Sequence, residues 1–337
     1  MKKLSLLHKL LFLINSVVAV VLLLSYLLPF VSPKSIPAFA VFSLLVPILI
    51  IINILFAVFW LIKLKKQFIL SSLILALGWL TATPFYQFSG KNTGKNDDLK
   101  VMSYNVRMFN HYKWNDDTSI TQKLFDFISD KNPDILAIQE FYNSDKISFS
   151  YPYKYIKTKS KTNQFGLAIY SKYPIISSGS LDFKNSANNA IFTDIVRNED
   201  TIRIYNIHLE SLKINPNKEN FGEENSERLF KRLSEGFKKQ ATQTESYLKH
   251  EQNWKGKKIV CGDFNNTSYS WAYRQIASNK KDAFIEAGNG FGKSFNYFFP
   301  MRIDFILSDN NSKINQFKTF KVKYSDHYPI LARVNWK

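Results

Sequence analysis

No acidic residue occurs before Asp97, and the chain up to that point carries three long apolar stretches. They cover residues 10–31, 38–62 and 68–85, and none contains a charged side chain. About 20 apolar residues in helical form cross ~30 Å of hydrocarbon. The stretches therefore predict a three-helix transmembrane anchor within residues 1–88. The competing reading is a cleaved signal peptide followed by buried core helices. The first stretch is too long for a signal segment and lacks a small-residue cleavage site, and two more stretches follow at once. The third is the most dilute, with Thr81, Thr83 and Pro84 near its end.

Charge sets the expected orientation. Lys2, Lys3 and Lys9 precede the first stretch, and Lys63, Lys65 and Lys66 lie between the second and third. The intervening loop carries only Lys34. Basic loops stay in the cytoplasm, so three crossings predict a multi-pass integral membrane protein with its large domain extracytoplasmic. Lys91, Lys95 and Lys100 oppose this weakly, because long domains translocate largely regardless of charge. The formal net charge is +18, and residues 1–96 supply nine Lys and no acid to it. The remaining +9 suits a polyanionic substrate or an anionic lipid surface. Cys261 is the only cysteine, which excludes an intrachain disulfide.

Residues 89–98 (SGKNTGKNDD) have no apolar periodicity and read as a linker. Residues 99–337 then alternate short apolar runs with turns, enough chain to bury a core without cross-links. Runs rich in Ile, Val, Tyr and Phe at 100–106, 135–139, 166–170, 190–196, 202–209, 258–261, 303–307 and 330–334 predict strands. Asn198-Glu199-Asp200 predicts a hairpin turn. Apolar spacing predicts helices over 118–129 and 227–249. Many strands with a few helices between them suggest two packed sheets with helices outside.

Polar residues recur at the ends of these strands. They are Asn105 in SYNVR, Glu140 in LAIQEF, His208 in YNIHLES, Asp263 and Asn265 in CGDFNN, Asp304 in RIDFIL, and Asp326 and His327 in SDHYP. Carboxylates with an amide suit a hard cation, Mg²⁺ or Mn²⁺. The zinc alternative lacks its ligand density, with no His-x-x-x-His pair. Cleaving a phosphate ester needs a cation on the non-bridging oxygens, a group that orients water, and donors for the developing charge. Taken singly, each residue has an ordinary reading as a turn, a cap or an ion-pair partner. Their joint occurrence in one domain is what points to chemistry.

In that order the motifs SYNV, ILAIQE, GLAIYSKYPI, YNIHLES, CGDFNN, RIDFILS and SDHYPI, with the Arg232/Gln240 region between, span residues 100–334. The domain resembles the endonuclease/exonuclease/phosphatase superfamily, which includes deoxyribonuclease-I-like nucleases, neutral sphingomyelinases and inositol polyphosphate phosphatases. The resemblance implies a four-layer α/β/β/α sandwich with the site at one edge of the paired sheets. It implies a Mg²⁺-dependent phosphoesterase, a nuclease or other phosphodiesterase, acting by inline attack of water. It makes Glu140 the direct metal ligand, with Asn105 and Asp326 completing or supporting the site. Asp263 orients or activates water, and Asn265 positions it or holds the phosphoryl group. His208, and His327 oriented by Asp304, act as imidazolium donors to phosphate oxygens.

The chain also departs from better-known relatives. Arg107 stands where many carry an acid, and His208 differs from abasic-site endonucleases. Three functions stay open: a nuclease, a lipid head-group phosphodiesterase or phosphatase, and a non-catalytic membrane-tethered binding module. Residues 151–161 (YPYKYIKTKSK) offer a basic aromatic track for nucleic acid, or simply a solvated strand pair. Phe291, Phe295, Tyr297, Phe298 and Phe299 offer an apolar rim for a lipid, or ordinary core.

Overall fold

The computed structural model describes residues 4–144, 147–160, 162–213 and 223–336. Lys2, Lys3 and Lys161, used above, lie outside the described residues. The N-terminal part contains α1 (Leu6–Ser25), α2 (Pro37–Ala40), α3 (Val46–Ile62) and α4 (Phe68–Thr81). Then come β1 (Leu99–Asn105), α5 (Ile120–Lys131), β2 (Ile135–Tyr142), β3 (Tyr153–Thr158), β4 (Phe165–Ser171) and β5 (Ile175–Ser180). A hairpin of β6 (Ala190–Arg197) and β7 (Asp200–His208) leads to α6 (Glu223–Glu251), β8 (Lys257–Asp263) and α7 (Trp271–Ala277). The chain closes with β9 (Lys280–Asp282), α8 (Ala283–Ala287), β10 (Asp304–Asp309), β11 (Lys313–Thr319) and β12 (Ile330–Asn335).

The strands form two six-stranded sheets, ordered β11-β12-β1-β2-β4-β3 and β5-β6-β7-β8-β10-β9. The centres are alike: β1 runs parallel to β2, and β7 parallel to β8. Period-2 alternation builds the layers. Val101, Ile135, Ala137, Ile202, Ile204, Ile259 and Cys261 turn inward and pack between the sheets. Met102, Tyr104, Leu136 and Ile138 turn outward under Leu124 and Ile128 of α5. On the other side, Tyr205, Ile207, Val260 and Phe305 meet Tyr247 of α6 and Ala272 and Ile276 of α7. The result is helix, sheet, sheet, helix. Both faces of the central strands are buried, which is why they read as nearly continuous apolar runs.

The inward face is graded along its length. On β1 it runs Leu99, Val101, Ser103, Asn105, and on β7 Ile202, Ile204, Asn206, His208, all buried. Where polarity begins, buried hydrogen bonds bridge the sheets. Gln139 Nε2 donates to Asn206 Oδ1 at 2.6 Å and to Ser103 Oγ at 3.1 Å, while Asn206 Nδ2 donates to Ile138 O at 2.8 Å. Beyond this band lie the strand-end residues.

Several boundaries differ from expectation. Residues 89–98 are not a free tether: Asn92 bridges to Gln316, and buried Asp98 accepts from Asn335 Nδ2 at 2.9 Å and Asn315 Nδ2 at 3.0 Å. The helix expected over 68–85 stops at Thr81, because Pro84 disfavours helical geometry at the residue before it. The apolar stretch 38–62 breaks near Leu45, where the segment Pro37–Leu44 and α3 meet at 56°. Among the described residues, only Leu6–Phe30 is one helix of spanning length, rising to two if the bent pair counts as one; α4 is shorter. Within the bundle, Asn15 Nδ2 donates to Ser71 Oγ at 2.6 Å, Ser71 Oγ to Asn53 Oδ1 at 3.0 Å, and Trp60 Nε1 to Asn15 Oδ1 at 3.0 Å. That buried polar knot joins α1, α3 and α4, as polar side chains do between helices in apolar surroundings.

Candidate active site

All eight strand-end residues singled out in the sequence converge at one end of the sandwich. Asp263 is the centre. It is 1% exposed and ends β8, directly opposite both His208 of β7 and Asp304 of β10. Its Oδ2 accepts from Asn105 Nδ2 at 3.0 Å and lies 3.6 Å from His208 Nε2 and 3.7 Å from His327 Nε2. Its Oδ1 accepts from the Asn265 backbone N–H at 2.8 Å. Gly262 places it: a Cβ there would sit 1.8 Å from Ile207 O, and φ is +146°.

Two further residues are aimed by unusual backbone. Glu140 has φ +50° and sits where the β2–β4 register shifts, so a bulge turns it off the strand toward the cleft. Asn265 has φ +49°, and its Nδ2 donates to Leu209 O at 3.0 Å. Left-handed geometry is uncommon for residues with a Cβ and concentrates at functional sites. Asn105 Nδ2 also reaches Glu140 Oε1 at 3.3 Å, while its Oδ1 accepts the Arg107 N–H at 3.1 Å. In this arrangement the amide nitrogen, not the oxygen, faces the carboxylates. Arg107 pairs with Asp326 at 3.3 Å and stacks over Trp114 at 4.6 Å, so the unexpected cation balances the second carboxylate.

The two histidines differ electrostatically. Burial lowers the affinity of His327 for a proton, but the charges of Asp304 and Asp263 and the 2.9 Å bond from Nδ1 to Asp304 Oδ2 outweigh it, leaving the pKa well above the ordinary value. His208 goes the other way: burial lowers its pKa, and Asp263 only partly compensates. The expectation of two imidazolium donors is therefore corrected to one, because His208 has no carboxylate bonded to it as Asp304 is to His327. A neutral His208 still carries one N–H to donate. Burial, followed by Asp304, pushes the Asp263 pKa up to about 6, against the lowering pull of the histidines and the Asn265 N–H. Glu140 is raised by burial and then by Asp326.

These carboxylates fit a divalent cation. Glu140 and Asp326 are half-buried at the cleft, and burial, followed by the Asp326 charge, makes ionising Glu140 harder. A cation between them removes that penalty. Asp263, Asp304 and His327 also place ligand-type atoms within 4.8 Å of one another. Protonated and bonded to Asp304, His327 is a hydrogen-bond donor, the role that suits a phosphate oxygen. Among the described residues, buried Asp304 Oδ1 and His208 Nε2 find no hydrogen-bond partner, leaving unused polar capacity at the site.

Sequence reasoning missed the supports. Ser294 Oγ accepts both the Ile303 and Asp304 N–H groups at 3.0 Å and so fixes the start of β10. Gln240, placed only by resemblance, donates to Glu210 O at 2.9 Å and Asn265 O at 3.3 Å, clamping two loops of the cleft. Continuing the inward alternation back from Asn105 and His208 would have found Ser103 and Asn206.

Paired sheets with clustered carboxylates and histidines at one end define a phosphoesterase class. Residues 102–327 match the endonuclease/exonuclease/phosphatase family, and the chain belongs to it. Enzymes of this family generally use a divalent metal. Residues 8–85 match a second model described as a domain of unknown function. Among solved structures, the endonuclease/exonuclease/phosphatase from Bacteroides vulgatus superposes with a TM-score of 0.53 at 19% identity, covering 72% of this chain and all (100%) of that one. A humanized D. rerio TDP2 gives 0.54 at 14%, covering 71% and 99%. The mannosyl-6-phosphatase of Bacteroides thetaiotaomicron gives 0.51 at 15%, covering 70% and 99%. A comparison with curated proteins returned no match.

Proposed function

We propose that this chain is a membrane-anchored, Mg²⁺-dependent phosphoesterase that cleaves a phosphate ester by inline attack of water. The observation that carries the reading is the surrounding of Asp263: a buried carboxylate within 3.7 Å of two imidazoles, hydrogen-bonded to Asn105 and Asn265. In this reading Glu140 and Asp326 hold the cation, and Asn105 holds Glu140 and Asp263 in place. The bound cation, Mg²⁺ or Mn²⁺, supplies charge to the non-bridging phosphate oxygens. Asp263 takes a proton from the attacking water. Asn265, on the exposed side of the cleft, positions that water or the phosphoryl group. His327, protonated and aligned by Asp304, donates to a phosphate oxygen, and neutral His208 donates a second hydrogen bond. A buried, desolvated carboxylate costs stability, and a non-catalytic binding module has no need to carry that cost.

The membrane reading extends to three crossings with the catalytic domain outside. What supports it is that both ends expected outside dock on one turn: Ser43 Oγ donates to Asn266 Oδ1 at 3.1 Å, and Thr83 Oγ1 to Ser268 Oγ at 2.9 Å. At the far end of the bundle, His8 packs on Trp60 at 5.8 Å, close to Lys9 and Lys63. Fourteen residues of α4 span about 21 Å at 1.5 Å per residue, short of ~30 Å, so local thinning or the following residues must complete that crossing.

The test uses the full chain in lipid nanodiscs beside Asp263→Ala and Glu140→Ala, with Mg²⁺ and a panel of plasmid DNA, RNA, sphingomyelin, phosphoinositides and methyl 4-nitrophenyl phosphate. Turnover that EDTA and both substitutions abolish supports the reading. A folded protein that neither binds Mg²⁺ nor turns over any substrate refutes it.

A further inference from the structure

The site opens into an apolar groove before it reaches solvent. Glu140, Asn265, Asp326 and His327 form the inner end of a cavity of about 580 Å³. One wall comes from the segment leading into α3, through Val41, Leu44 and Ile48. Phe295 and Phe298 stand on another side, and Leu233 of α6 contributes to the floor. Phe295 also packs on His327, with ring centroids 5.0 Å apart, so apolar wall and catalytic residue are in direct contact. Leu45 and Phe298 remain 44% and 77% exposed at the groove's rim.

We infer that this groove takes the hydrocarbon chain of a lipid phosphate ester, with the ester held at Glu140, Asp263 and His327. The inference rests on the phosphoesterase reading and adds the substrate class to it. Three surfaces run in series: an apolar helical bundle, an apolar groove that shares the Val41–Leu44 segment and Ile48 of α3 with that bundle, and the phosphate-ester site. A chain moving along them stays out of water throughout. A nucleic-acid strand would need a run of cations, since its binding is dominated by phosphate neutralisation. Among the described residues, Lys213 is the only lysine or arginine lining this groove, beside two carboxylates. The anchor is then a wall of the substrate site, which explains why residues 37–44 break away from α3 at 56° and pack against α6 and the Phe299–Ile303 segment. For a diester, water forms a new P–O bond to phosphorus as the bond to the leaving alcohol breaks. One proton of the water passes to that alkoxide and the other remains on the monoester product.

The experiment measures turnover of 4-nitrophenyl n-alkyl phosphates, methyl to dodecyl, by the full chain in nanodiscs with Mg²⁺. It also measures binding of n-alkyl phosphonates of the same lengths. Phe298→Ser, on the exposed rim, and Val41→Trp, which narrows the groove, are compared with wild type. Burying one methylene is worth roughly a fourfold change, so the wild-type dodecyl-to-methyl ratio of kcat/KM should exceed about 100-fold. In both variants that ratio should fall at least about tenfold. Equal ratios in wild type and variants report partition into the bilayer alone, and overturn the inference while leaving the phosphoesterase reading intact. Loss of all turnover, methyl ester included, overturns the phosphoesterase reading. The phosphonates then decide the groove: a chain-length slope equal in all three proteins overturns it, and a slope confined to wild type sustains it.

Discussion

Asn105 Nδ2 lies 3.0 Å from Asp263 Oδ2 and 3.3 Å from Glu140 Oε1, so one amide on β1 holds a carboxylate from each sheet. Asn105→Ala removes the donor common to both and leaves two desolvated carboxylates facing one another. Activity should fall by about 10²–10³-fold, the scale of losing one preorganised donor. Asn105→Asp should be worse in the metal-free protein, since it adds a third acid. Single-turnover rates with Mg²⁺, and metal-free melting curves for both variants, check this. Equal melting of Asn105→Asp and wild type at neutral pH would refute the clamp.

The His327–Asp304 bond predicts a pH profile. The folded-state pKa of His327 is raised, so the stability it contributes is fully present below the unfolded value near 6.5 and is lost as pH rises through the folded pKa. Protonated His327 is also the proposed donor, so activity should fall over the same basic limb. Asp304→Asn removes the largest raising charge and should shift that limb toward lower pH, with kcat at neutral pH reduced about 10²-fold. Unshifted basic limbs in kcat/KM would show that His327 is not the titrating group.

Asp263 shifts in the same direction, over a lower pH range. Its pKa is raised to about 6 from an unfolded value near 3.8, so the folded protein holds the proton more tightly. Folding stability therefore declines as pH rises from about 4 to about 6 and stays lower above that. Asp263→Asn escapes this penalty. In metal-free protein its melting temperature relative to wild type should rise between pH 4 and pH 7, by the equivalent of roughly 1–3 kcal/mol. Turnover should drop at least about 10³-fold. A pH-independent difference in melting would mean that Asp263 titrates normally.

Much of this was legible in the sequence because the central strands are buried on both faces, and runs such as ILAIQE and YNIHLE announce that directly. All eight strand-end residues fell in one cleft because β1, β2, β7 and β8 end on the same side, where the antiparallel strands β10 and β12 begin. The edge strands β5, β9 and β11 escaped notice because partial exposure blurs their alternation; β5 reads IISSGS with its middle residues exposed. The basic segment around β3 proved to be such an edge strand, paired with β4. Residues 89–98 misled because their bonds to Asn315 and Asn335 come from chain more than 200 residues away. The aromatic run 295–299 divided: Phe299 is buried and Phe298 exposed, a distinction set by the neighbouring segment 41–48 and invisible to composition.

Glu140 gives the most direct test of the metal. A carboxyl raised by burial and by Asp326 binds a proton and a cation in competition. Mg²⁺ affinity of the full chain should therefore weaken as pH falls through the Glu140 pKa, and Mg²⁺ should raise the melting temperature more at pH 8 than at pH 5. Glu140→Gln keeps the shape and the contact with Asn105 but removes the charge. It should melt no lower than wild type without metal, lose most of the Mg²⁺-induced stabilisation, and cut turnover by about 10³-fold or more. Calorimetric Mg²⁺ titration of both proteins at the two pH values measures it. Undiminished Mg²⁺ affinity in Glu140→Gln would move the ion away from the bulge on β2 and toward Asp263 and Asp304.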